Sequence, residues 1–404
     1  MSATINPDII TDGLVLCLDA GNSDCFRGEP TTNKINGLYS TSFANSGFTI
    51  TNNYATNFDG SNTASLLLSG SWIARTAGYS SGFVSGNTYT TTWILKNVDM
   101  NTLSLGWGGV HTGTRVNVSI NLTNGTASSA SGSNLYGIYS LGDGWYAIWY
   151  VTTLSGTAHY PQLSASTTGK YILYGGMQVE EKNYPTPIVN GTRGGTVATG
   201  GGLFDLSNNN NHGTIVRNAV PTASFYNSGN RGNLIFDGVN DYVALNNKDG
   251  LGDNFSSFSI DLVIRTRTGT GANEVGYILH RSTSYTVGAA VYSIYMATDS
   301  LGFSVNGSNF LILNNKNNVL AHYCYTWDGS VTKLYTNGVF TTSVNFTTFT
   351  NIRTGSTATI GSTSISPGYR PANCDLFNLK IYDEALTPKQ ILDNYRATKG
   401  RYGL

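Results

Sequence analysis

Charge is scarce in this chain. Asp, Glu, Lys and Arg make up 11% of its 404 residues, and 23 basic residues are matched by 23 acidic ones. A neutral chain has no field with which to hold nucleic acid or an anionic membrane through released counterions, so neither is expected as a partner. Glutamate is scarcer still: Glu29, Glu180, Glu181, Glu274 and Glu384 are the only five, and the remaining 18 acids are Asp. Asp is the acid of turns, Glu the acid of helices. Cys17, Cys25, Cys324 and Cys374 show no CxxC spacing and no nearby His pair. A zinc site is therefore not expected, and buried free thiols are preferred to disulfides. No apolar run approaches the roughly 18 residues of a membrane helix. The opening MSATINPDIITDG has no basic region followed by an apolar core, so it does not read as a secretory signal. The expectation is a protein made soluble in a cytoplasm, with any extracellular role reached by assembly into a particle or by a route without a cleaved signal.

Glycine and tyrosine are plentiful, at 48 and 25 residues. That mixture favours many short strands separated by turns, with almost no helix. Residues 13–22 (GLVLCLDAGN) read as a first strand. Stretches 47–50, 65–68, 88–95, 115–122, 144–152 and 170–178 alternate or run apolar over strand length, separated by Gly, Ser, Asn and Thr. Six short strands at this spacing predict a sandwich of their own. One helix is expected, over 388–398: Thr387 caps it, Pro388 suits its first position, Ile391, Leu392 and Tyr395 share one side, and Gly400 stops it. The final Arg401-Tyr402-Gly403-Leu404 reads as a free tail or a docking peptide.

The stretch GNLIFDGVNDYVAL at 232–245 reads as strand, tight turn, strand. It resembles the opening hairpin of LamG-like domains, the concanavalin-A-like sandwiches found in lectins, pentraxins and phage structural proteins. Four further stretches resemble the family in its own order: GLVLCLDAGN at the start, SFSIDLVIR at 257–265, HYCYTWDGSVTKLYTNG at 322–338, and DLFNLKIYDE at 375–384 with the helix after it. In that family the first strand leads soon to a motif like FDLSNNNNHGTI at 204–215. Here about 180 residues intervene, as expected where a domain is inserted at an exposed loop. The end of the insert (GDGWYAIWY at 142–150, YILYGGMQVEE at 171–181 and YPTPIVNGTR at 184–193) resembles the carbohydrate-binding-module-like jelly rolls of phage proteins. The resemblance implies an all-β chain of two β-sandwich (jelly-roll) domains, one inserted into the other, with a short C-terminal helix. Its divisions are 1–28 for the first strand of the LamG-like sandwich, 29–194 for the insert and 195–404 for the remainder, with boundaries near Arg27 and Gly195. The second FDG motif, at 58–60, reads as shared turn chemistry rather than duplication.

Chemistry has few places to live. Retaining glycanases need two carboxyl groups about 5 to 5.5 Å apart, and the Glu-x-Asp-x-x-Glu run of laminarinase-like relatives of this fold is missing. Glu180 and Glu181 are adjacent and so point to opposite faces of a strand. His111, His159, His212, His280 and His322 are scattered, and no Gly-x-Ser-x-Gly elbow accompanies them. No catalytic residue is assigned. Concanavalin-A-like sandwiches often hold calcium through loop oxygens, which makes Asp205, Asp237, Asn240 and Asp241 the calcium candidates. Five of six tryptophans, Trp72, Trp93, Trp107, Trp145 and Trp149, fall in the insert. Flat rings stack on sugars, so Trp107, Trp145 and Trp149 are the glycan-binding candidates. Trp107 lies between glycines and is expected to be an exposed ring, while Trp145 and Trp149 share one strand face, where core packing competes with display.

The resemblance implies a non-enzymatic structural protein of a tailed-phage virion. It would lie on the particle surface as capsid decoration or as a fibre or tail component, bound to other virion proteins in homo-oligomeric or lattice-bound copies, and with host-surface glycans as a further ligand. The alternatives are a receptor-binding adhesin or lectin of the tail, and a polysaccharide depolymerase whose site the sequence does not reveal.

Overall fold

The computed structural model describes residues 9–22, 24–26, 28, 30–35, 38–39, 47–70, 74–75, 83–110, 117–131, 135–155, 158–165, 167–194, 201–217, 225–227, 232–246, 251, 255–267, 275–282, 290–297, 299–305, 308–314, 316–346, 357–364 and 369–404. The expected boundary positions Arg27 and Gly195 lie outside them, as do Glu29, Glu274, Trp72 and His111. The fold is all-β with one C-terminal helix. The chain separates into two compact units: one takes residues 31–193, and the other takes the segments that flank them.

The flanking unit holds two sheets. The eight-stranded sheet runs Tyr226–Asn227, Asn233–Asp237, Asn373–Tyr382, Phe258–Thr266, Leu320–Trp327, Val331–Thr336 and Val339–Asn345, with Leu14–Asp19 also paired to Asn373–Tyr382. The seven-stranded sheet runs Gly213–Val216, Tyr242–Leu245, Thr357–Ile360, Val275–Ser282, Ala290–Ala297, Ser300–Val305 and Ser308–Leu313. Alternate residues of both sheets, among them Leu16, Phe236, Leu262, Leu279, Phe303 and Tyr325, meet in one buried core. Burying each such side chain contributes about 1.5–3 kcal/mol.

The stretch at 232–245 is strand, turn and strand, but not a hairpin. Asn233–Asp237 pairs with Asn373–Tyr382 in one sheet, while Tyr242–Leu245 pairs with Gly213–Val216 and Thr357–Ile360 in the other. The chain arches from sheet to sheet because Leu234, Phe236, Val243 and Leu245 all need the same core. Local turn chemistry cannot separate an arch from a hairpin. The stretch at 322–338, by contrast, does form paired strands, and Asn337 and Gly338 both take the positive φ of the tight turn that follows.

The helix is longer than its sequence signals suggest. It spans Pro388–Tyr402, with Thr387 and Gln390 closing a capping box and Gly403, at φ 70°, ending it. Gly400 stays helical because the last turn is anchored: Tyr402 is buried against Val263 and Phe377, and Arg401 bonds Asp19 at 2.6 Å. Residues 401–404 are therefore part of the docked helix end, not a free tail. Beneath the helix lies a buried polar layer. Asp261 accepts from Lys380 Nζ at 2.8 Å, and its other oxygen lies 2.8 Å from His322 Nε2. Asn394 of the helix reaches the same carboxylate at 3.4 Å and the Tyr382 hydroxyl at 3.0 Å. Burial pushes the Asp261 carboxyl up, but the adjacent Lys380 and His322 pull harder and hold it well below the usual range.

The unit of residues 31–193 also has two main sheets. Its six-stranded sheet runs Tyr136–Gly142, Trp145–Thr153, Thr88–Asn97, Tyr171–Glu180, Ala64–Ser69 and Phe48–Ala55. Its five-stranded sheet runs Ala74–Arg75, Ala158–Ala165, Thr102–Val110, Asn117–Asn121 and Thr126–Ser131. Trp93, Leu105, Trp107, Tyr150, Tyr174 and Met177 belong to the core they enclose. All four cysteines of the chain, Cys17, Cys25, Cys324 and Cys374, are free and buried.

Candidate functional site

The glycan candidates separate by burial. Trp107 is only 2% exposed, packed edge-on against Phe83 at 5.1 Å, with its Nε1 donating to Thr91 at 3.1 Å. The expectation of an exposed ring fails there. The flanking glycines serve the strand Thr102–Val110, whose alternation turns Trp107 inward with Leu103 and Leu105. Trp145 points to the opposite side of its own sheet and is likewise 2% exposed, covered by a small cluster with Leu38, Ile94 and Leu173. No sugar reaches either ring.

Trp149 shares the outward face of the six-stranded sheet with Trp145 but is not enclosed, and it sits in a rung with Gly137, Thr92 and Gln178. Tyr136–Gly142 is the edge strand, and Gly137 is required: a methyl group there would lie 2.7 Å from Trp149 Nε1, so the indole lies across the glycine toward the sheet edge. Trp149 stays half-buried rather than enclosed. Two residues along the edge strand, on the same face, Tyr139 is 40% exposed. Partial burial first, and the charge of Glu180 second, push its hydroxyl up to about 12, so it remains a hydrogen-bond donor at neutral pH. Diagonal neighbours of this kind lie about 7 Å apart, within reach of one another for aromatic side chains.

Glu180 and Gln178 hold the rest of the face. Glu180 is fully buried and accepts from the hydroxyls of Thr31 and Thr186 and from the Thr186 amide at 3.0 Å. Gln178 Oε1 accepts from Val189 N at 2.6 Å. Both side chains strap the segments around Thr31 and Thr186–Val189 onto the sheet. Glu181 leaves on the other side, where Lys34 pairs with it at 3.0 Å. The two carboxylates do not converge, as strand alternation requires.

The calcium candidates are not assembled. Both oxygens of Asp241 face Arg217, at 3.0 and 3.1 Å, which neutralises the charge a cation would need. Asp205 accepts from Cys17 N, Ser207 N and Oγ, and Asn211 N. Asp237 accepts from Val239 N at 2.8 Å, closing its own turn. Asn240 lies in that turn. Among the described residues no three His, Cys, Asp or Glu side chains gather as a metal would require. His212 also serves its loop, accepting from Asp205 N at 3.1 Å.

One cluster escaped the sequence reading. His280 Nδ1 lies 3.0 Å from both the backbone N and the Oγ of Ser364, 84 residues away, and Tyr277, Tyr295 and Arg370 gather near it. No local motif marks it, because the loop around Arg370 meets the strand Val275–Ser282 only in three dimensions.

Residues 237–392 match the Laminin_G_3 family model, described as the concanavalin A-like lectin/glucanases superfamily. No curated protein matches the chain. Similar solved structures include the receptor-binding domain of botulinum neurotoxin C/D mosaic serotype (15% identity, 48% of each chain covered, TM-score 0.37) and the botulinum neurotoxin serotype D binding domain (15%, 48% of each chain, TM-score 0.36). The binding domain of Paraclostridial Mosquitocidal Protein 1 is similar at 17% identity, over 48% of this chain and 49% of that one, with a TM-score of 0.37. The chain spans about half the length of these solved structures. The chain thus carries a concanavalin A-like lectin/glucanase domain at residues 237–392.

Proposed function

We propose that the protein is a non-catalytic glycan-binding protein that attaches to carbohydrate through the outward sheet face of residues 31–193. The observation that carries this is Trp149, held half-exposed across Gly137 with Tyr139 beside it, in a chain whose other unit carries a lectin/glucanase domain. A pyranose ring stacks its C–H face on the indole while the Tyr139 hydroxyl donates to a ring substituent. The carboxylates of this face bind protein rather than flank a bond, which supports binding without turnover. Retention of the protein on neutral glycan gels tests this: Trp149→Ala abolishes retention, and release of reducing ends by the wild type would sink the non-catalytic reading.

We place this activity on the surface of a tailed-phage virion, in multiple copies contacting other virion proteins, with 29–194 as a jelly roll inserted into the LamG-like sandwich. The support is the order of the sequence resemblances. Immunogold labelling of purified particles from the source tests it: gold over head or tail supports the placement, and bare particles contradict it.

A further inference from the structure

The cluster around His280 gathers hydrogen-bond donors, and no carboxylate pairs with them among the described residues. The loop at Tyr369–Ala372 is pinned to the strand Val275–Ser282. Tyr277 N donates to Arg370 O at 3.1 Å, Tyr277 bridges Pro371, and Gly276 has no room for a methyl group against the Pro371 carbonyl. Arg370 itself sits at φ 50°, a left-handed conformation that a non-glycine residue adopts at a cost. That backbone sets the guanidinium against Tyr369, 5.6 Å from its ring centroid, and hydrogen-bonds it to the hydroxyls of Tyr369 and Tyr277. Each hydroxyl accepts from the guanidinium and so keeps its own proton to give away.

Two more donors adjoin. The Tyr277 and Tyr295 rings lie 6.4 Å apart. Tyr295 is 7% exposed, laid flat over Gly302, and its hydroxyl has no hydrogen-bond partner among the described residues. A buried hydroxyl left unpaired is costly, and an acceptor atom of a ligand would satisfy it. His280, edge-on to Tyr277 at 4.5 Å, accepts the Ser364 amide at Nδ1, which leaves the ring hydrogen on Nε2. Tyr369 is 57% exposed, so the cluster opens to solvent at that end. No ion pair joins Arg370 to a carboxylate among the described residues. A planar fork with phenolic donors beside it matches a carboxylate, and the exposed Tyr369 ring offers a face for the sugar that carries it.

We propose that Arg370, Tyr277, Tyr295 and Tyr369 form a second saccharide subsite, specific for a carboxylate-bearing sugar. It rests on the glycan-binding reading but uses residues independent of Trp149. The test is calorimetric titration of the full chain with methyl glucuronide, methyl glucoside and inorganic sulfate. The glucuronide binds at least tenfold tighter than the glucoside. Arg370→Gln removes that preference, and Tyr295→Phe, which deletes one oxygen and leaves the fold intact, weakens glucuronide by about threefold to tenfold. Equal binding of glucuronide and glucoside overturns the subsite, as does unchanged glucuronide affinity in Arg370→Gln. Sulfate binding as tightly as glucuronide overturns the carboxylate specificity. If the subsite fails while neutral glycans still bind through Trp149, only this inference falls; if no saccharide binds anywhere, the glycan-binding reading falls with it.

Discussion

Replacing Asp261 by Asn tests what holds the C-terminal helix. Asp261 and His322 are fully enclosed, Lys380 nearly so, and among the described residues the carboxylate is the only acid bonded to that lysine. Removing the charge leaves the Lys380 ammonium buried and unpaired, and breaking a buried pair in this way costs about 3–5 kcal/mol. In a domain of this size each kcal/mol lowers the melting temperature by roughly 2–4 °C, so a drop of about 6–20 °C is expected. The effect is confined to the flanking unit, and Trp327 reports on it because the other five tryptophans lie in residues 31–193. Asp261→Leu combined with Lys380→Met removes both charges and costs less than either single change, since apolar pairs replace buried ion pairs with little loss. A matching acid limb is expected of the wild type: the carboxyl is depressed in the folded state, so its contribution is complete above the unfolded value near 3.9 and is lost as pH falls below it. A melting shift under 2 °C for Asp261→Asn, or a double variant as damaged as the sum of the singles, would refute the reasoning.

Further expectations concern other sites. His280 is held down to about 4 by burial and by the charge of Arg370, against 6.5 when free. Its neutral form is the folded form, so its contribution of up to about 3 kcal/mol is whole above pH 6.5 and disappears as pH falls toward 4, which His280→Gln should erase from a pH series of urea midpoints. Trp107→Ala destabilises residues 31–193 by about 3–5 kcal/mol, read by denaturant unfolding, because it empties a packed core rather than a binding face. Gly137→Val displaces the Trp149 indole and weakens glycan retention without a comparable loss of stability. Thr387→Ala removes the helix cap and costs about 1 kcal/mol in the same unfolding assay.

Much of the fold was legible because strand alternation and turn residues are local. The six expected strands of residues 31–193 reappear as Phe48–Ala55, Ala64–Ser69, Thr88–Asn97, Asn117–Asn121, Trp145–Thr153 and Tyr171–Glu180. Thr102–Val110 and Ala158–Ala165 were not anticipated, since glycine, serine and proline dilute their alternation and only the neighbouring strands supply the pairing. The partners of a strand are less legible than the strand, as the arch at 233–245 shows: both halves alternate correctly, and nothing local says that they enter different sheets. The helix end at Gly403 depended on Tyr402 finding Phe377 and Val263. At the site, Trp149 was readable by type but not by exposure, which Gly137 of the adjoining strand decides. Asp241 looked like a calcium ligand until Arg217, 24 residues earlier, took its carboxylate. The Arg370 cluster joins residues about 90 apart and leaves no mark in sequence.

The most direct measurement is retention of the full chain on a panel of immobilised neutral glycans, wild type beside Trp149→Ala and Trp107→Ala. At least one glycan retains the wild type, Trp149→Ala loses retention by tenfold or more with its melting temperature within about 2 °C, and the folded fraction of Trp107→Ala still binds. Retention that survives Trp149→Ala unchanged would contradict the placement of sugar on this sheet face, and no retention by any glycan would contradict the function.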